Sequence, residues 1–165
     1  MIFFSLPRIL NQSPYEIILS EGDFLFQTER GIRYEISFVK EDIVFGNCDT
    51  YQFIIRKLDE VGSTYDPKVK DTIFAIINEF FLSNQQILLY ICDTSDGKED
   101  SRNRLFLHWF EKYAEEGKYT IKTAHAVVEG ETIYTAIIVE NSNPKLDAII
   151  QDFDLTAKSL TEKPE

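Results

Sequence analysis

The stretch Cys92-Asp93-Thr94-Ser95-Asp96-Gly97-Lys98 puts a thiol, two carboxylates, two hydroxyls and an amine into seven residues. Five residues separate the cysteine from the lysine, the spacing of a loop that cradles a phosphate dianion beside a thiolate. Such a cradle works through bare backbone amides and an arginine. Here Asp93 and Asp96 would repel the dianion and raise the thiol pKa, and the base is lysine. The two aspartates are spaced D-x-x-D, so their side chains need not converge on one metal as a D-x-D pair would. Gly97 sits at the wrong offset from Asp93 for a calcium-binding loop. His108 and His125 are the only histidines, and no cysteine or acid stands at ligand spacing from them, so no metal is expected. No catalytic triad pattern and no glycine-rich phosphate loop occurs, and no catalytic residue is assigned.

The residues that follow suggest a structural use for the same loop. Arg102 shares a helical face with Phe106, Trp109 and Tyr113, which aims its guanidinium at the boundary of the core. A guanidinium so placed requires a counter-charge. Asp93, at the exit of an apolar run, is positioned to provide one, while Asp96 or Asp100 serves the helix N-terminus, where carboxylates are favoured. Asp93, Asp96 and Arg102 therefore read as an ionic staple between a central strand and a helix. Arg104 falls on the opposite, solvated face.

The elements that carry this staple follow from periodicity. "DFLFQT" and "IRYEISFV" flank the turn Glu29-Arg30-Gly31, and in the second run Ile32, Tyr34, Ile36 and Phe38 alternate with polar residues, as in an antiparallel hairpin with one wet face. "TYQFIIRKL" alternates in the same way, with Tyr51, Phe53 and Ile55 on one side. The segment between these strands, including "FGNCD", is expected to be a loop. A helix opens at Asp66-Pro67, with aspartate as N-cap and proline in the first position. It carries the stripe Val69, Ile73, Ile76, Ile77 and Phe80, widened by Phe74 and Phe81, and ends near Ser83-Asn84.

"QILLYIC" is apolar without alternation, as a central strand buried on both faces would be. A second helix bears Leu105, Phe106, Trp109, Phe110 and Tyr113 on one face, with His108 on its wet side. "YTIKTAHAVV" and "TIYTAIIVE" form a hairpin around Glu129-Gly130-Glu131, with His125 expected to be partly buried and hydrogen-bonded. A last helix is capped by Asn143 and keeps Leu146, Ile149, Ile150, Phe153, Ala157 and Leu160 in one stripe. The order is β-β-β-α-β-α-β-β-α: one α+β domain over residues 1–165, with a mainly antiparallel mixed sheet covered by helices. Residues 1–20 are read as an N-terminal extension and 161–165 as a frayed tail.

Composition narrows the partners. The chain has 165 residues, 13% of them aromatic, enough for a ring-rich core. Lysine and arginine number 17 against 28 acids, a formal net charge of -11. That charge repels phosphate backbones, so nucleic-acid binding is not expected, whereas a basic protein partner is compatible with it. Two cysteines form no disulfide framework and fit a reducing cytosol. Pro7 and Arg8 interrupt the apolar start, and nothing reaches the length of a membrane span. A cytoplasmic protein without membrane contact is expected.

The order of three antiparallel strands, a helix, a strand, a helix and a final hairpin, over about Asp23 to Asn141, resembles the GNAT N-acetyltransferase fold. The segment "YICDTSDGKEDSRNRLFLHWF" is also similar to a family of small uncharacterised bacterial proteins, a likeness that brings no activity. GNAT enzymes seat the pyrophosphate of CoA on a Q/R-x-x-G-x-G/A loop at the start of the helix after the third strand. In this chain Lys70-Asp71-Thr72-Ile73-Phe74-Ala75 stands there. Lys70 and Ala75 fit, Ile73 replaces a glycine, and Asp71 adds an anion. Their next helix reads N-x-x-A-x-x-L-Y-E-K-x-G-F, which Asn103, Glu111 and Lys112 match, with Trp109 and Phe110 in place of Leu-Tyr. That tyrosine supplies a proton to the leaving thiolate in many such enzymes, and Phe110 has none to give. Tyr113 lies three residues further on the same face.

Two readings result. The first is a non-catalytic, GNAT-like interaction or regulatory module that binds a protein partner through its acidic surface or an open sheet edge and needs no cofactor. The second is an acyl-CoA-dependent N-acyltransferase with a divergent site, in which acetyl-CoA or another acyl-CoA would meet Lys70, Asp71, Thr72, Ala75 and Asn103.

Overall fold

The computed structural model describes residues 2–59, 66–93, 108–112, 117–128 and 130–161. In chain order the elements are α1 (Leu6–Gln12), β1 (Ile17–Ser20), β2 (Asp23–Gln27), β3 (Arg33–Phe45), β4 (Cys48–Lys57), α2 (Pro67–Ser83), β5 (Ile87–Asp93), α3 (described over 108–112), β6 (Tyr119–Val128), β7 (Glu131–Glu140) and α4 (Leu146–Thr161). The fold is α+β, with a mixed seven-stranded sheet in the order β1-β2-β3-β4-β5-β7-β6. The ladders β1–β2, β2–β3, β5–β7 and β6–β7 are antiparallel. β4 and β5 run parallel, with Thr50 opposite Ile87. A parallel pair requires a crossover, and α2 supplies it. No described helix is long and apolar enough to cross a membrane.

The chain divides into two compact units. The first comprises Met1–Val39 and Phe53–Gln85. Its core is aromatic and aliphatic: Phe24, Ile36, Phe53, Ile73, Ile76, Ile77 and Phe80 are buried. Phe38 stacks on Phe80 with ring centres 5.1 Å apart, and Phe4 meets Phe24 edge-on at 4.9 Å, offset and edge geometries that suit the ring quadrupoles. α2 begins where the sequence places it. Asp66 has extended backbone, its side chain accepts the Lys68 N–H at 2.9 Å, and Pro67 opens the helix. It ends at Asn84, whose backbone N–H and side-chain amide both donate to the Phe80 carbonyl. The Asn84 side chain also exchanges two hydrogen bonds with the Phe3 backbone, at 3.0 and 2.8 Å. The first 20 residues carry α1 and β1, two elements ahead of the expected order. Ser5 caps α1, accepting the Arg8 N–H, and Pro7 lies in its first turn.

The second unit comprises Lys40–Gln52 and Gln86–Glu165. The segment around "FGNCD" corrects an expectation. β3 continues to Phe45 and β4 starts at Cys48, so only Gly46-Asn47 connects them. Both residues have positive φ, 57° and 62°, the conformation of a two-residue hairpin turn whose twist matches that of its strands. Phe45, Cys48, Ile87, Leu89, Ile137, Val139, Ile149 and Phe153 form the core here, and Phe45 meets Phe153 edge-on at 5.6 Å. β5 is a central strand, as its apolar run requires, with Ile87, Leu88 and Leu89 all buried. α4 packs its own backbone against the turn: a Cβ on Gly46 would lie 2.7 Å from the Ile149 amide nitrogen, and the Gly46 N–H donates to Asp152 at 2.6 Å. α4 starts at Leu146, two residues later than the expected opening at Pro144; Asn143 holds the turn that leads into it, accepting the Lys145 N–H on its side chain at 2.9 Å and the Leu146 N–H on its carbonyl at 3.1 Å.

Candidate functional site at the start of helix α2

The first turns of α2 hold four of the residues that the second reading assigns to a cofactor. A helix N-terminus attracts anions because its leading amides lack intrahelical acceptors and lie at the positive end of the dipole. In this helix the chain provides the anion itself. One oxygen of Asp66 takes the Lys68 amide, and the Asp66 carbonyl takes the Val69 amide at 3.0 Å. The other carboxylate oxygen accepts from the Tyr15 hydroxyl at 2.5 Å.

Tyr15 comes from the segment before β1, is buried, and lies nearly parallel to Phe26, with ring centres 6.1 Å apart. Burial, and then its bond to Asp66, raise its pKa above the ordinary phenol value. The Lys68 ammonium donates to Glu29, in the β2–β3 turn, and lies 5.9 Å from the centre of the Tyr15 ring, within cation–π reach. The hydrogen bond to Glu29, and the charge behind it, raise the Lys68 pKa.

The residues further along turn inward. Thr72 is fully buried; its hydroxyl donates to the Lys68 carbonyl at 2.7 Å and meets the Ser13 hydroxyl at 3.4 Å. Ile73 and Ala75 are buried. Lys70 is half-buried and Asp71 exposed. The turn thus presents one exposed carboxylate, one exposed ammonium paired with Glu29, one half-buried ammonium and a capping carboxylate engaged on both oxygens. This arrangement can bind a cation or a basic side chain at Asp71. A phosphate would have to displace Asp66 and approach Asp71 to reach the same amides.

The remaining predicted residues fall elsewhere. Asp93 ends β5, opposite Ile133 of β7. Asp96, Asp100, Arg102, Asn103 and Tyr113 lie outside the described residues. Phe110 is fully buried and 6.5 Å from the Tyr119 ring, while Glu111 and Lys112 are exposed. His108 is exposed, as its place on the wet face requires. His125 differs from expectation: it is exposed, its ring 5.8 Å from that of Tyr134, its cross-strand neighbour. At that point of the hairpin the odd-numbered face is open, which period-two reasoning alone does not show. Among the described residues, no group of three or more His, Cys, Asp and Glu side chains is placed to hold a metal ion.

Sequence reasoning missed a charged pair whose acid is buried. Glu79 lies in the apolar run of α2, and its side chain is 2% exposed. Arg8 of α1 reaches it with Nε and Nη2, the shortest contact being 2.6 Å, and Ser83 donates to it at 2.7 Å. Burial pushes the carboxyl upward in pKa, but the Arg8 guanidinium, the Ser83 hydroxyl and the Ser5 amide outweigh it and hold it below its ordinary value. The signal was a lone acid inside "AIINEFF"; its partner, 71 residues away, left none.

The model of a family of unknown function, DUF6169, matches residues 65–155, more than half of the chain. No curated protein and no solved structure matches it.

Proposed function

We propose that this chain, which belongs to that family of unknown function, is a non-catalytic interaction module that binds a basic protein partner. The observation that carries the reading is the engaged N-terminus of α2. The amides that would seat a CoA pyrophosphate meet the chain's own Asp66, the exposed Lys68 ammonium is paired with Glu29, and exposed Asp71 bears the wrong charge. Buried Phe110, standing where the resemblance calls for a proton-donating tyrosine, supports the same reading. The net charge of -11 favours a partner rich in lysine and arginine over a nucleic acid. In this account Asp93, Asp96 and Arg102 are a structural staple, no cofactor is needed, and the buried Cys48 thiol, not in a disulfide, suits the reducing cytoplasm.

A second reading, the acyl-CoA-dependent N-acyltransferase with a divergent site, is favoured by the element order. The run β2-β3-β4-α2-β5-α3-β6-β7 supports a GNAT-like arrangement, although a fold does not fix an activity. Thermal denaturation with CoA and with acetyl-CoA separates the two, because a ligand that binds only the folded state raises Tm in proportion to ln(1 + [L]/Kd). The interaction module shows no shift with either compound. A concentration-dependent rise with acetyl-CoA would put the transferase first.

A further inference from the structure

β1 lies at one end of the strand order, and among the described residues no strand takes its outer side. Its register against β2 runs from Ile17–Phe26 to Ser20–Asp23. The connecting residues Glu21 and Gly22 both have positive φ, 53° and 87°, so the turn is the two-residue type that closes on a hydrogen-bonded pair. Ser20–Asp23 and Ile18–Leu25 are then the hydrogen-bonded pairs, and the backbone N–H and C=O groups of Ile17 and Leu19 point away from β2.

At the centre of this edge Ile18 is 62% exposed and Leu19 is 46% exposed. Consecutive strand residues point to opposite faces, so the edge is apolar on both. Natural sheets guard such edges with lysine, proline or a bulge, and "IILS" contains no lysine or proline. Glu16 and Glu21, both exposed, bracket the apolar pair.

We infer that β1 accepts an extended segment of a partner protein as an added strand, with Lys or Arg opposite Glu16 and Glu21 and apolar residues between them. This rests on the reading of the chain as an interaction module. Backbone groups of Ile17 and Leu19 give the ladder, Ile18 and Leu19 give apolar contact, and the glutamates select the charge. A second copy of this chain fits less well. Outward-facing residues must pair with outward-facing ones, so Ile17 meets Leu19 of the copy and Glu16 meets Ser20, and neither glutamate gains a counter-charge.

The test is an amide NMR titration of the full ¹⁵N-labelled chain with an octapeptide of alternating Val and Thr bearing two lysines at each end, beside a control with glutamates at the ends. The lysine peptide shifts the Ile17–Ser20 amides saturably and slows exchange at Ile17 and Leu19, and the glutamate peptide does neither. The double variant Glu16→Lys/Glu21→Lys, altered only at exposed positions, keeps its Tm and reverses the preference. No shift, shifts confined to other strands, or a preference unchanged in the variant overturns the proposal. Concentration-dependent β1 shifts without peptide overturn it in favour of a second copy. Acetyl-CoA added to the same sample keeps the two claims apart. If neither compound shifts any amide, the edge site falls and the interaction-module reading stands. If acetyl-CoA shifts the Asp71 and Thr72 amides, that reading falls and the proposal falls with it.

Discussion

The Tyr15 hydroxyl and the Asp66 carboxylate are joined by a hydrogen bond that ties the segment before β1 to the N-cap of α2. Because Asp66 also takes the Lys68 amide, removing it breaks a cap and strands a buried phenol. Asp66→Ala should lose about 1 kcal/mol for the cap and about 1–3 kcal/mol more for the unpaired hydroxyl. Asp66→Ala/Tyr15→Phe should recover the second part. Urea unfolding checks this: the midpoint falls with an unchanged slope, and the double variant lies between the single variant and the parent. A single variant as stable as the parent would mean that the contact contributes nothing.

Gly46 is constrained twice, by φ of 57° and by the backbone of α4, where a Cβ would lie 3.0 Å from the Ala148 carbonyl carbon. Gly46→Ala should therefore destabilise by more than about 1 kcal/mol. Asn47 is also at positive φ, 62°, and Asn47→Gly should change stability by only a few tenths of a kcal/mol, since asparagine already tolerates this region. Thermal melts of the two variants give the contrast; equal losses would contradict the close approach of α4.

The same turn shows where the sequence was legible and where it was not. α2 could be read because three signals agree: an Asp-Pro start, a helical stripe, and an asparagine where the stripe stops. β5 could be read because an apolar run without alternation has few other uses in a chain of this kind. β3 was read too short because Lys40, Glu41 and Asp42 break its alternation, and exposed Ile43 and Val44 do not restore a one-sided pattern. Gly-Asn was the available sign of a tight hairpin. At the candidate site, Asp66 and Ile73 were legible because capping and periodicity are local. Tyr15 and Arg8 were not, because their partners lie 51 and 71 residues away.

Glu79 makes acid stability testable. Its folded pKa lies below the ordinary glutamate value of 4.5, so the unfolded state binds its proton first as pH falls. The stabilisation is complete above about pH 4.5 and is lost as pH drops through the depressed folded value. Asp59, lowered by its hydrogen bonds from Arg33, adds a contribution of the same sign. Glu79→Gln should be less stable than the parent at neutral pH, and the gap should narrow in acid, because the Asp59 contribution is lost in both proteins alike. Urea midpoints measured from pH 7 down to pH 3 decide it. A gap that stays constant over that range would show that the ionised form of Glu79 is not what stabilises the fold.

The central claim is that the first turn of α2 is occupied by the chain's own carboxylate and offers CoA no seat. Isothermal titration of the unmodified chain with acetyl-CoA tests it most directly. The account predicts dilution heat alone. Saturable binding in the micromolar range, lost when Lys70 is replaced by alanine, would contradict it and establish a cofactor site at the start of α2.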